Sequence, residues 1–207
     1  MPSSRYADPA EPLRRLRLLE LLAGIEPGDA TEDADITGTA EWVASGAPLY
    51  RVRKPDVPAK HLVSYFVPID PASGQLMLVA HRAAGLWLPP GGHVEPAEDP
   101  WRTVRRECRE ELGIEATPAP FAGERPVFLT VSQTRGAGPH IDVSLWYALA
   151  VDPRTIQRYD VNEFAEIRWV SPDRLLDEPV ETLDPHLHRF TRKLLRAGWP
   201  VAPSRVR

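Results

Sequence analysis

Residues 92–114 read GHVEPAEDPWRTVRRECREELGI, and the interpretation of the whole chain starts from this stretch. Asp99 is a favourable helix N-cap, and Pro100 suits the first helical position because its missing N–H costs nothing there. Gly113 is a typical residue at the end of a helix. The sequence therefore predicts a helix of about three turns that runs from Pro100 to Leu112.

The predicted helix has two distinct faces. On a helical wheel, an apolar stripe fit for burial is formed by Trp101, Val104, Cys108 and Leu112. A neighbouring face carries Glu107, Glu110 and Glu111, whose carboxylates repel one another and weaken an isolated helix. This face is either a solvated surface whose charge is offset by nearby arginines, or a cluster that binds a hard divalent cation through oxygen.

The turn that precedes the helix favours the cation-binding interpretation. The sequence of residues 88–92, LPPGG, follows an apolar run and must turn sharply. Its paired glycines allow the backbone to approach a ligand closely, and a free carbonyl there could join a metal shell. Glu98 can reach Arg106, which would fix the loop to the helix and leave Glu98 with a structural role.

Together these residues resemble the Nudix box. The matching positions are Gly92, Glu98, Arg106, Glu107, Glu110, Glu111, Gly113 and Ile114. Cys108 is slightly unusual where a larger apolar residue is common, although cysteine behaves as a small hydrophobe. The resemblance implies an α/β fold, the Nudix α/β/α sandwich with a mixed β-sheet, in which the box forms a loop, a helix and a second loop.

The resemblance also implies roles for the box residues. The carboxylates of Glu107, Glu110 and Glu111, together with the carbonyl of Gly92, would hold Mg²⁺ or Mn²⁺. Arg106 would belong to the catalytic group, while Glu98 and Gly113 would be structural. The general base is left open between Glu107 and Glu163, and Glu163 lies in a loop before the last predicted strand.

Candidate substrate contacts lie outside the box. Arg82 ends a predicted strand, Arg135 lies in a glycine-rich loop, and His140 follows that loop. Arg82 and Arg135 could contact phosphate, although Arg82 could equally be an exposed residue at a strand end. His140 and Asp142 would point to one side of a strand, as half of a metal site, a base-reading pair or a turn-and-edge element.

The chain divides into three predicted segments. Residues 1–50 form an N-terminal helical extension, residues 51–180 the Nudix hydrolase domain, and residues 181–207 a C-terminal helix and tail. Within the extension, the leucine spacing predicts a helix over residues 12–25, packed on the core, on a second subunit or, less plausibly, on a membrane. Residues 28–37 are interpreted as acidic and turn-rich, and residues 39–45 as a short helix. Strands are predicted over residues 61–69, 75–80, 86–88, 126–132, 141–151 and 165–170.

Composition limits the partners of the chain. A net charge of −4 over 207 residues gives no general attraction to nucleic acid or to an anionic membrane. The single cysteine excludes an internal disulfide and suits a reducing compartment. The composition therefore predicts a cytoplasmic protein without a stable nucleic-acid complex or a membrane. The resemblance implies a small-molecule nucleotide as substrate and is compatible with a homodimer.

The resemblance implies metal-dependent cleavage of a phosphoanhydride bond in a nucleoside diphosphate that is linked to another group. The sequence does not choose between ADP-ribose, a nucleotide sugar, a dinucleotide and a nucleoside triphosphate. The alternative is a non-catalytic module on a Nudix fold that senses nucleotides or binds a partner.

Overall fold

A computed structural model describes residues 9–53, 57–134 and 140–198. The strands are β1 (Lys60–Ile69), β2 (Leu76–His81), β3 (Leu86–Leu88), β4 (Gly91–His93), β5 (Phe128–Gln133), β6 (Ile141–Ala150) and β7 (Phe164–Val170). The helices are α1 (Glu11–Ala23), α2 (Ala30–Ala44), α3 (Pro100–Glu107), α4 (Pro172–Asp177) and α5 (Leu187–Arg196). In these described ranges, no helix is both long enough and apolar enough to cross a bilayer.

All seven strands belong to one mixed sheet with the order β3-β2-β1-β6-β5, in which β4 also pairs with β1 and β7 with β2. The central strands β1 and β6 run parallel, and their paired residues extend from Lys60 opposite Ile141 to Ile69 opposite Ala150. Strand β4 lies antiparallel to β1. The starts of β1 and β6 and the short strand β4 are therefore neighbours, and the candidate site is built at this end of the sheet.

Helices cover both faces of the sheet. Alternate residues of β1 point to opposite sides, and apolar residues are buried on both of them. Leu62 and Phe66 belong to one buried cluster, which contains the predicted apolar stripe Trp101, Val104, Cys108 and Leu112. Val67 and Ile69 belong to a second cluster with residues of α5. This confirms the predicted sandwich with N-terminal helices, and it confirms the buried stripe of the box helix.

The last turn of the box helix differs from the prediction. The predicted helix from Pro100 to Leu112 is present, but its last part is not α-helical, because α3 ends at Glu107 and Cys108–Leu112 form a π-helical turn. The turn closes at Gly113, whose φ of 65° is a left-handed conformation that favours glycine. A π turn contains one residue more than an α turn, so it changes the direction of the side chains that follow. Glu111 is buried as a result, whereas Glu110 remains exposed.

The acidic segment before residue 45 also differs from the prediction. Residues 28–37 are not a turn-rich segment followed by a short helix, because Ala30–Ala44 form one continuous helix. Asp29 caps this helix by accepting a hydrogen bond from the Glu32 backbone N–H at 2.9 Å. Its carboxylate also pairs with Arg189 of α5 at 2.7 Å. The acidic residues therefore stabilise the start of a helix instead of interrupting it.

Helix α2 is joined to the sheet by buried carboxylates. Glu32 is fully buried, and it accepts hydrogen bonds from the Leu129 N–H at 3.2 Å and from Lys193 Nζ at 2.6 Å. Asp35 accepts from the Val131 N–H at 3.3 Å. These N–H groups belong to β5, an end strand of the sheet, so α2 satisfies backbone donors along that edge.

Replacing Glu32 with alanine is expected to lower the free energy of unfolding by about 3 kcal/mol, because Lys193 would keep a half-buried charge without its partner. Urea denaturation measures this change. Glu41→Ala, an exposed substitution on the same helix, should change the free energy by less than about 0.5 kcal/mol. Equal effects of the two substitutions would contradict the assigned role of Glu32.

Asp184 gives the fold a pH-dependent stability. The residue is 8% exposed, and burial raises the pKa of its carboxyl to about 6, although the His186 backbone N–H donates to it at 2.8 Å. Because the pKa is higher in the folded state, the contribution of Asp184 is complete below about pH 4 and is lost as the pH rises through about 6.

Asp184→Asn should therefore be more stable than the unmodified chain at pH 8, by about 1–3 kcal/mol, and the difference should disappear near pH 4. Denaturant unfolding at several pH values measures this. Asp177→Asn, at the exposed end of α4, is the control and should show no such pH-dependent gain. A difference that is constant with pH would rule out titration of Asp184 as its cause.

Candidate active site

A cleft of about 560 Å³ opens at the end of the sheet where β1, β4 and β6 meet. This volume is in the range of pockets that hold small organic ligands. Box residues on its wall are Gly91, Gly92, His93, Glu95, Arg106, Glu107 and Glu110. Other polar residues on its wall are Arg51, Tyr65, His81, Thr134, His140, Asp142 and Glu163. The cleft therefore gathers residues that are far apart in the sequence.

The two glycines of the box lie in strand β4, although the sequence suggested only a turn. Gly92 pairs with Ser64 and Gly91 with Tyr65 of β1. A Cβ atom on Gly91 would overlap the Ser64 carbonyl, and a Cβ atom on Gly92 would overlap the Glu107 carboxylate. Gly91 is therefore required by the backbone of β1, whereas a larger residue at Gly92 would displace the carboxylate of Glu107.

Arg106 connects the loop of the box to its helix. Its guanidinium donates to Glu98 at 3.1 and 3.2 Å and to the His93 carbonyl at 3.1 Å. It also donates to Glu107 at 2.6 Å and to Glu110 at 3.3 Å. Burial would raise the pKa of Glu98, but hydrogen bonds from Arg106 and Thr103 outweigh it and lower that pKa. Arg106 thus fixes the positions of three carboxylates at once.

Glu107 and Glu111 are carboxylates that burial has placed in an unfavourable environment. Burial raises the pKa of Glu107 to about 7, the Arg106 charge opposes this, and the carboxylates of Glu110 and Glu163 add to it. Burial also raises the pKa of Glu111, together with the charge of Glu107. The single guanidinium of Arg106 does not offset this concentration of negative charge.

Glu111 keeps one oxygen available. Its carboxylate accepts a hydrogen bond from the Gly91 N–H, but Oε2 is buried and has no hydrogen-bond partner in the described part of the chain. Carboxylate and carbonyl oxygens are the ligands that Mg²⁺ prefers. The donor set therefore fits a hard divalent cation, which would compensate both the repulsion and the unpaired oxygen.

Both candidates for the general base border the same cleft. Glu107 is largely buried, whereas the side chain of Glu163 is 44% exposed and lies 3.4 Å from His81 Nε2. Glu166 is exposed on β7 and is not among the described residues that line the cleft. The geometry thus keeps Glu107 and Glu163 open as alternatives.

The predicted substrate-contact residues do not all lie on the cleft. His140 lines the cleft, but Arg82 is directed elsewhere, because its Nε donates to the Val161 carbonyl at 3.0 Å. Arg82 borders a separate, shallower depression. Arg135 lies outside the described residues. Arg51 lines the cleft and was not anticipated, since nothing in its neighbourhood in the sequence connects it to the box.

His61 and His93 are further residues of the site that the sequence did not single out. Both lie within reach of His140 and Asp142. The parallel register of β1 and β6 places His61 opposite Asp142, and β4 places His93 beside them. The spacing of His140 and Asp142 was a local signal, but the strand pairing that completes the group is a long-range contact.

A mixed sheet between helices, with Glu107 and Glu110 of a loop–helix–loop on the wall of one cleft, is the arrangement that the resemblance to the Nudix box implied. The family model of the NUDIX domain matches residues 60–194, and the chain therefore belongs to the Nudix hydrolase family. The match begins at β1 and extends into α5.

Named relatives and solved structures agree with this assignment. The CTP pyrophosphohydrolase of Escherichia coli (strain K12) is 32% identical over 145 residues, which cover 68% of this chain and 98% of that protein. The asymmetrical bis(5'-nucleosyl)-tetraphosphatase of Mus musculus is 50% identical over 42 residues, or 20% of this chain and 29% of that protein. The MutT protein from Methanosarcina mazei Go1 shares the fold with a TM-score of 0.50 at 21% identity, over 68% of this chain and 96% of that one.

Proposed function

We propose that the chain is a Mg²⁺- or Mn²⁺-dependent pyrophosphohydrolase of nucleotides, with nucleoside triphosphates as its first substrate class. The observation that carries the proposal is that Glu107 and Glu110 line the same cleft as Gly91, whose N–H donates to the buried carboxylate of Glu111. The choice of substrate class is supported by the relative that is named a CTP pyrophosphohydrolase and is matched over nearly its whole length.

The residues that would hold the metal are Glu107, Glu110, Glu111 and the Gly92 carbonyl. When bound, the ion neutralises charge on the phosphate oxygens and lowers the pKa of a water molecule. Arg106 keeps Glu107 and Glu110 in place through its hydrogen bonds at 2.6 and 3.3 Å. A carboxylate oxygen of Glu107 or Glu163 accepts the proton of the attacking water, since both side chains border the cleft.

The remaining wall of the cleft suits the rest of a nucleotide. Val63, Leu88 and Phe164 give it an apolar portion, and Tyr65 adds an aromatic edge. Arg51 brings a positive charge to the same wall, where it can attract phosphate. A cleft of about 560 Å³ is large enough for a small molecule, and its many polar and charged residues suit a phosphorylated one.

The proposal is tested with a substrate panel and controlled metal content. The panel contains CTP and the other nucleoside triphosphates, nucleotide sugars, ADP-ribose and dinucleoside tetraphosphates, and products are separated by chromatography. A nucleoside triphosphate should give the monophosphate and pyrophosphate in the presence of Mg²⁺ or Mn²⁺. EDTA should abolish turnover, and excess Mg²⁺ should restore it.

Two outcomes would overturn parts of this proposal. Calorimetric binding of nucleotides without turnover of any compound would favour the sensing module over the enzyme. Turnover confined to nucleotide sugars, ADP-ribose or dinucleotides would keep the hydrolase and reject the triphosphate as its substrate class.

A further inference from the structure

Four side chains that commonly bind metals meet where β1, β4 and β6 lie side by side. They are His61, His93, His140 and Asp142, and we refer to them as the histidine cluster. His61 pairs with Asp142 across the parallel strands, and His140 directly precedes β6. One potential ligand atom from each side chain lies within 4.8 Å of the others.

The hydrogen bond of His61 to Pro58 leaves its other ring nitrogen directed at Asp142. Its Nδ1 lies 2.8 Å from the Pro58 carbonyl, and because a carbonyl only accepts, this nitrogen must carry the hydrogen. In the neutral ring, Nε2 then presents a lone pair to Asp142 Oδ1, which lies 3.2 Å away. Two acceptors at this distance repel each other unless a proton on Nε2 or a bound cation lies between them.

The same oxygen faces two further imidazoles. Asp142 Oδ1 lies 3.3 Å from His140 Nε2 and 4.0 Å from His93 Nε2. His61 Nε2, His93 Nε2 and Asp142 Oδ1 are buried, and none of these three atoms has a hydrogen-bond partner in the described ranges. Unpaired buried polar atoms are rare in native structures, and three at one point indicate a ligand.

The outer contacts of the cluster resemble those of metal-binding histidines. Such residues usually have their second ring nitrogen held by a carbonyl or another polar group, which fixes the ring orientation. His61 Nδ1 is held by Pro58, and His140 Nδ1 lies 3.0 Å from Thr134 Oγ1. Both rings are therefore oriented with Nε2 towards Asp142.

We propose that the histidine cluster is a second metal site, which binds a first-row transition-metal ion of the Zn²⁺ type. Three imidazoles and one carboxylate suit such ions, whereas Mg²⁺ prefers oxygen ligands. Tetrahedral Zn²⁺ with bonds of about 2.0–2.1 Å places its donor atoms roughly 3.3–3.4 Å apart. The distances of 3.2 and 3.3 Å from Asp142 Oδ1 to His61 and His140 agree with this. His93 lies at 4.0 Å, and the four donor atoms, which lie within 4.8 Å of one another, have to draw closer together on binding.

The ion would stabilise the candidate active site through strand β4, whereas the glutamates of the box contribute from the helix. His93 directly follows Gly92, so a metal on His93 would fix β4 against β1 and β6. Arg51 lies on the same wall of the cleft, and its charge opposes a bound cation. The site thus differs from the carboxylate cluster in its ligands, its preferred ion and its electrostatic setting.

The test measures binding of Zn²⁺ and Co²⁺ to metal-free full-length protein, by calorimetry and by the visible absorption of tetrahedral Co²⁺. One ion per chain and the Co²⁺ bands are expected. His93→Gln and Asp142→Asn should each weaken Zn²⁺ binding at least about 100-fold, since each removes a direct ligand. Circular dichroism verifies that the variants fold, and these two are preferred because His61 is fully buried.

Matched variants separate this site from the carboxylate cluster. His188→Gln changes a histidine of α5 that contacts the Leu175 carbonyl, and it should bind Zn²⁺ like the unmodified chain. The triple variant with Glu107, Glu110 and Glu111 changed to glutamine should also keep the Zn²⁺ site, even though its hydrolytic activity is expected to be lost. Absence of Zn²⁺ binding, or binding that survives in His93→Gln and Asp142→Asn but disappears in the triple variant, would overturn the proposal.

Discussion

Glu107→Gln is expected to lower kcat by about 10³-fold while the protein remains folded. The substitution keeps the size of the side chain but removes the charge of a carboxylate that faces Gly92 at the centre of the cleft. It therefore removes both a proposed metal ligand and one candidate for the general base. The measurement is kcat and KM at several Mg²⁺ concentrations, with the best substrate of the panel.

A matched control exists close to the box. Glu115 has a side chain that is 69% exposed and pairs with Arg109 at 2.7 Å, and it is not among the described residues that line the cleft. Glu115→Gln should change kcat by less than about twofold, since it alters the same type of group outside the site. A Glu107→Gln variant that keeps more than about a tenth of the activity would contradict the assignment.

The same kinetics can resolve the identity of the base. If Glu163 accepts the proton, Glu163→Gln should lower kcat without weakening the dependence on Mg²⁺, because the proposed metal ligands do not include Glu163. If Glu107 accepts it, Glu163→Gln should have only a small effect. Glu107→Gln should weaken the affinity for Mg²⁺ in either case.

Gly92→Ala is expected to lower kcat/KM by about 10²-fold or more with little loss of stability. The new Cβ would overlap the carboxylate of Glu107, which is the far end of a flexible side chain and can move away. The fold therefore survives, but a proposed metal ligand is displaced, and displacements of this kind are costly for catalysis. Steady-state kinetics and thermal unfolding measure the two effects.

Gly91→Ala should act in the opposite way, mainly on the fold. Its Cβ would overlap the backbone at Ser64 and Tyr65, and its φ of 149° is unfavourable for other residues. A loss of about 2–3 kcal/mol in unfolding free energy is expected. Gly38→Ala on α2, where a Cβ meets nothing within 4 Å, is the control and should be slightly stabilising without affecting activity.

If Gly92→Ala retained full activity, the close contact between Gly92 and Glu107 would have no role in catalysis.

The parts of this molecule that local patterns encode could be predicted from the sequence. The spacing of Trp101, Val104, Cys108 and Leu112 predicted a buried stripe, and all four are buried. The hydrophobic runs predicted six of the seven strands closely, because a strand and the turn residues that bound it are local signals in the sequence. The sandwich followed from the order of these elements together with the resemblance of the box.

Features that depend on distant contacts were not predicted. Residues 30–38 contain Thr, Asp and Gly, which are poor helix formers, and the helix is stabilised by contacts of Asp29 and Glu32 with α5. The π turn at Cys108–Leu112 carries no recognisable local signal. The histidine cluster depends on the register between β1 and β6, which are separated by the whole box, so the spacing of His140 and Asp142 could indicate only half of it.

The carboxylates that α2 places along β5 have a consequence for how copies of this protein can associate. An uncovered sheet edge invites a strand from another molecule, and this is a common start of aggregation. Here the outward N–H groups of Leu129 and Val131 are already engaged by Glu32 and Asp35, so they are not offered to a neighbouring chain. Strand β5 is therefore poorly suited to pair with a strand of another molecule, and a shortened chain without α2 would leave these backbone N–H groups open to such pairing.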